Sequence, residues 1–277
     1  TTQLTERFTE NMISFNNIGN LGRLANQMFQ YASLKGIARK HGYEFSIPPE
    51  QVFGQNDSLV KTSPLNIYNV FENVSNNTIQ IVRNPILQER MHEFDRQLFN
   101  DCSDNVDLFG YYQSPKYFEH IKDEIKNDFK FSNEVESICS EVFDNLDDEK
   151  VVSVHIRRTD YTINPNHPVQ PMSYYEKALE LFDKNVQIFV FSDDPIWCKE
   201  QELFADDNIM LSEGNDADVD LCLMSKCDYH IIANSSFSWW GAWLGDSEKV
   251  VAPSNWFADS CAGKSVKDME FSDWTWV

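Results

Sequence analysis

Positive charge is scarce in this sequence. Its 277 residues hold 23 Lys and Arg against 44 Asp and Glu, a formal net charge of −21. Neutralising the phosphates of a nucleic acid needs a basic face, so a general nucleic-acid binder is excluded. The same excess argues against docking on anionic lipid by charge alone. Long apolar runs are also missing: none approaches the roughly 18 residues that suggest a membrane span. Residues 1–10 are polar where a signal peptide would be apolar. The six cysteines form no CxxC pair, which points to reduced, mostly buried thiols in a cytoplasmic protein. Attachment at the periphery of a membrane is compatible with that reading.

Several catalytic and nucleotide-binding signatures are absent too. No GxGxxG follows a strand-like run, which argues against a dinucleotide oxidoreductase. Gly263-Lys264-Ser265 has Ala258 where a P-loop has its upstream glycine. There is no HExxH and no GxSxG. What remains is ordinary for a globular protein, with 42% hydrophobic and 24% charged residues, and the length allows one large domain or two of usual size.

The pattern suggests two α/β lobes, 1–145 and 146–277, joined at the acidic stretch 144–149. In the first, 12–15 reads as a strand and 23–41 as a helix, with Leu24, Met28, Tyr31, Leu34 and Ile37 at spacings of three and four and Gly42 as its stop. A strand at 44–47, a β-like piece at 78–82, a strand at 107–112 and helices over 115–129 and to about 143 complete it. The second lobe is plainer. Apolar runs at 151–156, 187–191, 209–211, 229–233 and 250–252 alternate with helical segments at 172–182, 195–203, 217–227 and 237–245. Continuous apolar strands between helices indicate a parallel sheet covered on both faces, and such sheets bind ligands beyond the C-terminal ends of their strands.

Those strand ends carry the candidate chemistry. Residues 151–277 hold 9 basic side chains against 21 acidic, and their only two arginines, Arg157 and Arg158, are adjacent at the end of the first strand. Arginine suits bidentate phosphate recognition, although pairing with the many carboxylates is an equal alternative on charge alone. His155 shares the face of Arg157. Ser192-Asp193-Asp194-Pro195 follows the next strand. Ser192 is a candidate helix cap, and Asp193 a candidate for a ribose hydroxyl. Asp216, Asp218 and Asp220 open a helix, where they complement its dipole; a metal-binding pair is the sharper alternative. Asn234-Ser235-Ser236 stands where a strand meets a helix, an arrangement of backbone N–H groups that suits a phosphate. Trp239, Trp240 and Trp243 are best read as core.

His155-Ile-Arg157-Arg158-Thr-Asp160-Tyr161 together with Asn234-Ser235-Ser236-Phe-Ser-Trp-Trp240 resembles the family 11 glycosyltransferases, the GDP-fucose-dependent α-1,2-fucosyltransferases. Three further segments fit: Gly22-Arg23-Leu-Ala-Asn26-Gln27-Met-Phe-Gln-Tyr31, Gly110-Tyr-Tyr-Gln113-Ser-Pro-Lys116-Tyr-Phe118 and Asp220-Leu-Cys-Leu-Met-Ser225-Lys-Cys-Asp228. The resemblance spans about 12–257. One position departs, Thr159, where the family usually has glycine.

The resemblance implies a GT-B-like pair of Rossmann-like lobes, the donor nucleotide held mainly by the C-terminal one. It implies that Arg157 binds the β-phosphate and that Arg158 supports the same loop or the donor. His155 and Asp220 would contact guanosine, and Ser235 and Ser236, with Asn234 beside them, the diphosphate. The loop 19–27, with Arg23 and Asn26, resembles the one that faces donor and acceptor across the cleft in related fucosyltransferases, and Asn26 would position the acceptor or the phosphate. The implied reaction inverts GDP-β-L-fucose onto the 2-hydroxyl of a galactose-terminated oligosaccharide or glycolipid, with no metal and no cofactor. The residues single out no general base: Asp160 is near in sequence, but orienting Arg157 or Tyr161 is an equal role for it. The alternatives are a metal-dependent transferase of another nucleotide sugar and a non-catalytic GDP-sugar- or glycan-binding protein. Fucose transfer to a protein hydroxyl is a further one.

Overall fold

A computed structural model describes residues 11–50, 65–146, 150–206, 209–261, 264–265, 267–269 and 273–277. The polar stretch 1–10, part of the acidic stretch 144–149, and Gly263 lie outside the described residues. The chain divides into two compact units, Thr1–Lys130 and Phe131–Val277.

In the first unit the chain runs β1 (Met12–Ser14), α1 (Leu24–His41), β2 (Glu44–Ser46), α2 (Ile67–Val70), β3 (Ile86–Gln88), α3 (Arg96–Asp101), β4 (Val106–Phe109) and α4 (Lys122–Asp128). The strands form one parallel sheet in the order β2-β1-β4-β3. Helix α1 is buried on more than one face: Gln27, Gln30, Ser33 and Lys35 are buried with its apolar residues. The Lys35 ammonium is satisfied by Asp128 at 2.6 Å, which also accepts from the Tyr31 hydroxyl at 2.9 Å. Gly42 ends the helix in the left-handed conformation at φ 69°, its N–H returned to the helix carbonyls.

Some expectations for this unit needed correction. The stretch 78–82 contributes only a bridge, Ile47 to Ile79. The strand expected over 107–112 stops at Phe109, because Gly110 and Tyr112 turn to φ 150° and 50°. The helix expected over 115–129 is broken into two short 3₁₀ turns and α4, because Phe118 (φ −133°, ψ 1°) and Ile121 (φ −124°, ψ 31°) leave the α-helical region.

The second unit runs α5 (Asn133–Asp144), β5 (Val151–Ile156), α6 (Met172–Leu179), β6 (Gln187–Ser192), α7 (Pro195–Lys199), β7 (Ile209–Leu211), α8 (Ala217–Lys226), β8 (Tyr229–Ile231), α9 (Ser236–Leu244), β9 (Lys249–Ala252) and β10 (Thr275–Trp276). The boundary at 130/131 precedes the expected 145/146, because α5 packs on α8: Lys226 pairs with Glu136 at 2.6 Å. All six strands are parallel, in the order β10-β9-β8-β5-β6-β7. Counted from β5, this is the 3-2-1-4-5-6 order of doubly wound nucleotide-binding sheets, and the direction of winding reverses between β5 and β8. Every residue of β5 is buried. Trp239, Trp240 and Trp243 of α9 are core residues, and Gly241 lets α8 approach closely: a Cβ there would stand 2.9 Å from that of Met224. Five of the six cysteines are buried and all six are free thiols.

Candidate active site

Ligands of an open parallel sheet sit where the winding reverses, which in the second unit is the crevice beyond β5 and β8. Arg157 and Arg158 leave the end of β5, and Asn234, Ser235 and Ser236 join β8 to α9. Two bonds tie these segments together. The Tyr161 hydroxyl donates to the Asn234 carbonyl at 3.0 Å, and His155 Nδ1 meets the Ser238 hydroxyl at 2.8 Å.

Arg157 is the best-prepared cation of the crevice. Its Nη2 pairs with Asp160 Oδ1 at 2.5 Å and its Nη1 with Asp193 Oδ2 at 2.9 Å, while the Tyr161 ring lies 5.5 Å from the guanidinium. The side chain is 18% exposed, enough to present an edge to a ligand. Asp160 therefore orients Arg157, one of the two roles weighed for it. Arg158 is committed elsewhere. Its guanidinium lies 3.7 Å over the Trp197 ring and its Nε donates to Asp194 at 3.2 Å, fastening the loop to α7.

Asp193, the candidate for a ribose hydroxyl, is engaged by the arginine loop. Its Oδ1 takes the main-chain N–H of Arg158 at 2.8 Å, and its Oδ2 takes the Thr159 hydroxyl at 2.5 Å as well as Arg157. Both oxygens hold the arginine loop in place. Thr159 sits at φ −32°, a conformation that needs no glycine, and its hydroxyl adds a bond that glycine lacks. The cap of α7 is Asp194, which accepts from Trp197 N–H at 3.2 Å, rather than Ser192, whose hydroxyl accepts from Asp194 N–H.

His155 is 5% exposed, and burial pushes it down to about 3 while Asp193 works against that and Arg157 with it. It is a neutral imidazole, with Nδ1 engaged by Ser238. Asn234 is buried and donates to the Pro168 and Trp256 carbonyls at 2.9 and 3.0 Å, so its amide braces neighbouring loops. Ser235 is the N-cap of α9, accepting from Phe237 N–H at 3.3 Å. Ser236 begins the helix and is the more exposed of the two.

Asp220 lies apart from this cluster, on α8 beyond β7. It accepts from Ser212 at 2.5 Å, and Asn215 donates to Ser212 at 2.9 Å. Burial pushes its carboxyl up to about 6, against the pull of the Ser212 and Asn215 hydrogen bonds. Among the described residues, no group of three or more His, Cys, Asp or Glu is arranged to hold a metal ion. No helix of the described residues is long and apolar enough to cross a membrane.

Arg23 and Asn26 belong to the first unit. Arg23 is exposed at the start of α1, and Asn26 Oδ1 accepts from Gln113 Nε2 at 2.5 Å. Gly22, at φ 92°, is required beside it, because a Cβ would stand 1.9 Å from Asn26 Nδ2. Trp197 and Asp194, the partners of Arg158, carry no sequence signal beyond the Ser192-Asp193-Asp194 run.

A sequence model described as glycosyl transferase family 11 matches residues 2–277. An alpha-1,2-colitosyltransferase of Escherichia coli is 33% identical, the match covering 85% of this chain and 90% of that protein. The galactoside alpha-(1,2)-fucosyltransferase 2 of Sus scrofa is 28% identical over 88% of this chain and 73% of its own. Among solved structures, the fucosyltransferase NodZ from Bradyrhizobium superposes with a TM-score of 0.54 at 13% identity, covering 85% of this chain and 93% of its own. That likeness is one of fold: α/β and GT-B-like, with a parallel sheet in each unit.

Proposed function

The chain belongs to glycosyltransferase family 11, and from that premise we propose that it moves L-fucose from GDP-β-L-fucose to the 2-hydroxyl of a galactoside, inverting the anomeric centre. The observation that carries the reading is Arg157, steadied by Asp160 and Asp193 at the reversal point of the second sheet, beside the N-terminus of α9.

Transfer passes through an oxocarbenium-like state in which charge gathers on the departing β-phosphate. Arg157 and the N-terminal dipole of α9 at Ser235 and Ser236 meet that charge without reorganising. Arg158 acts through the loop rather than on the donor. Asp220, as a carboxylate, is suited to accept the N1–H and 2-amino hydrogens of guanine. Arginine and helix dipole supply the positive charge, so the reaction uses no metal or cofactor.

The test is turnover of GDP-fucose with a panel of β-galactosides, following GDP release and establishing the linkage by NMR. An α-1,2 product supports the reading; nucleotide binding without release or transfer across the panel overturns it in favour of a binding protein. The colitosyltransferase relative makes GDP-colitose the second donor to run. A preference for it would replace fucose while keeping the same site.

A further inference from the structure

The second unit meets the charge of a diphosphate with two groups on different segments, Arg157 after β5 and the start of α9 after β8. The sheet itself does not fix how far apart they stand. The β5–β8 ladder ends at the pair Val154–Ile231, and both segments run three residues past it, from 154 to 157 and from 231 to 234. Beyond that pair the two segments are joined through side chains, His155 on Ser238 and Tyr161 on the Asn234 carbonyl.

Tyr161 touches both groups. Its ring lies 5.5 Å from the Arg157 guanidinium, within cation–π range, and its hydroxyl donates at 3.0 Å to the carbonyl just before the Ser235 cap of α9. A 3₁₀ turn over Asp160–Thr162 brings it there, closed by the Thr162 N–H on the Arg158 carbonyl at 2.9 Å. His167 stacks on the same ring, with centroids 5.1 Å apart and planes 19° apart, and Phe257 packs on His167 at 5.4 Å. His167 Nδ1 is buried and has no hydrogen-bond partner among the described residues. Burial lowers the pKa of the imidazole, with Lys264 adding to the fall and Asp160 opposing it. His167 is therefore a neutral ring that serves through its faces. Its loop is sewn to the segment after β9: the Asn166 carbonyl accepts the Ala258 N–H at 2.9 Å, and Gln170 Nε2 donates to the Asn255 carbonyl at 2.7 Å.

We propose that Tyr161 is a positioning residue of the transfer, fixing the spacing between Arg157 and the N-terminus of α9, with its own ring held by His167 and Phe257. This rests on the fucosyl-transfer reading, in which those two groups meet the β-phosphate. Tyr161 acts through the arginine and the helix rather than on the donor. A nucleoside diphosphate spans both groups, whereas a monophosphate lacks the β-phosphate and gains little from their spacing. The spacing thus selects the diphosphate as well as serving the rate, and an error of about an ångström between such groups costs up to about 10²-fold.

Tyr161→Phe tests it, because the change cuts the bond to Asn234 and leaves a ring against Arg157 and His167. The readouts are GDP and GMP affinities by titration calorimetry, and kcat for GDP-fucose with a β-galactoside. The preference for GDP over GMP should fall at least about threefold, through weaker GDP binding with GMP nearly unchanged. The kcat should fall about 10–10²-fold. A tyrosine that only stabilised the fold would weaken both nucleotides alike, so a smaller change in either the preference or kcat overturns the proposal. Should Tyr161→Phe not fold, His167→Ala and His167→Phe decide. A GDP preference lowered in the first and better kept by the ring of the second supports the proposal; equal values overturn it. Wild-type protein that binds GMP as tightly as GDP overturns both the proposal and the β-phosphate assignment. If wild-type protein binds GDP selectively but releases none from GDP-fucose with any galactoside, the fucosyl-transfer reading fails, and the GDP-to-GMP ratio alone decides whether Tyr161 orders the diphosphate site.

Discussion

The carboxylate of Asp193 seats the arginine loop from two sides, its Oδ2 on Arg157 Nη1 at 2.9 Å and its Oδ1 on the Arg158 N–H at 2.8 Å. The strand pair β5–β6 makes this possible, because Ile156 and Ser192 are partners at the ends of the two strands. Asp193→Ala therefore takes one of its two carboxylates from the partly buried Arg157 guanidinium and leaves the Arg158 N–H without its acceptor, a loss of about 1–3 kcal/mol by the usual cost of such groups. The expected outcome is a lowered melting temperature together with a GDP affinity weakened at least about tenfold, since a 1.4 kcal/mol loss is a factor of ten. Unchanged GDP affinity by titration calorimetry would separate Asp193 from Arg157.

Arg157 and Arg158 are adjacent yet should fail differently. Arg157→Ala removes the group aimed at the developing phosphate charge, so kcat should fall on the order of 10²–10³-fold in a folded protein. Arg157→Lys should recover little, because an ammonium cannot span Asp160 and Asp193 as the fork does. Arg158→Ala removes the stack on Trp197 and the bond to Asp194. Its larger effect should be on melting temperature, and Trp197→Ala should reproduce it. Equal kinetic defects in the two alanine variants would contradict this division.

Much of the second unit was legible because β5 to β9 are short, apolar and each followed by a polar turn, the signature of a sheet buried on both faces. The arginine pair stood out against an acidic background for the same reason. Tertiary partnerships were hidden. Asp193 looked like a ligand because its three partners lie 34 to 36 residues upstream at Arg157, Arg158 and Thr159. Glu89, whose carboxylate accepts the main-chain N–H groups of Tyr111 and Tyr112, follows an edge strand whose residues are exposed or half-buried, so no apolar pattern marks β3 and nothing local signals the pairing. The helix α5 was assigned to the first lobe because the acidic stretch after it resembled a linker, whereas its apolar face, with Val135 and Cys139 buried, belongs against α8.

Asp220 should give donor binding a pH dependence. Its folded carboxyl is pushed up to about 6 by burial, above its ordinary value of 3.8. Between those values the folded protein binds the extra proton, so stability falls as pH rises through that window and stays lower above it. Asp220→Asn removes the burial of a charge and should raise the melting temperature at pH 7.5 relative to wild type, with the difference closing by about pH 4. Guanine recognition has the opposite sign. A protonated Asp220 accepts less well, so wild-type GDP affinity should weaken below about pH 6, and Asp220→Asn should lower the preference for GDP over ADP. A pH-independent preference in both proteins would remove Asp220 from the guanosine site.

Gly110 separates the two units' contributions. At φ 150° it occupies backbone space that side chains rarely enter, and its missing Cβ is filled by Glu89. Gly110→Ala must displace either Glu89 or the 110–113 segment, and with it the Gln30 bond to the Gly110 carbonyl. The GDP contacts argued above all lie on the second unit, so GDP affinity should stay within about threefold of wild type, a shift of roughly 0.7 kcal/mol. Transfer to galactosides should fall at least about tenfold, because Gln113 carries the bond to Asn26, the residue expected to position the acceptor, and a misplacement of an ångström or so has such a cost. Gly22→Ala, whose Cβ meets Asn26, should behave the same way. If either variant lost GDP binding in step with transfer, the confinement of the GDP contacts to the second unit would fail.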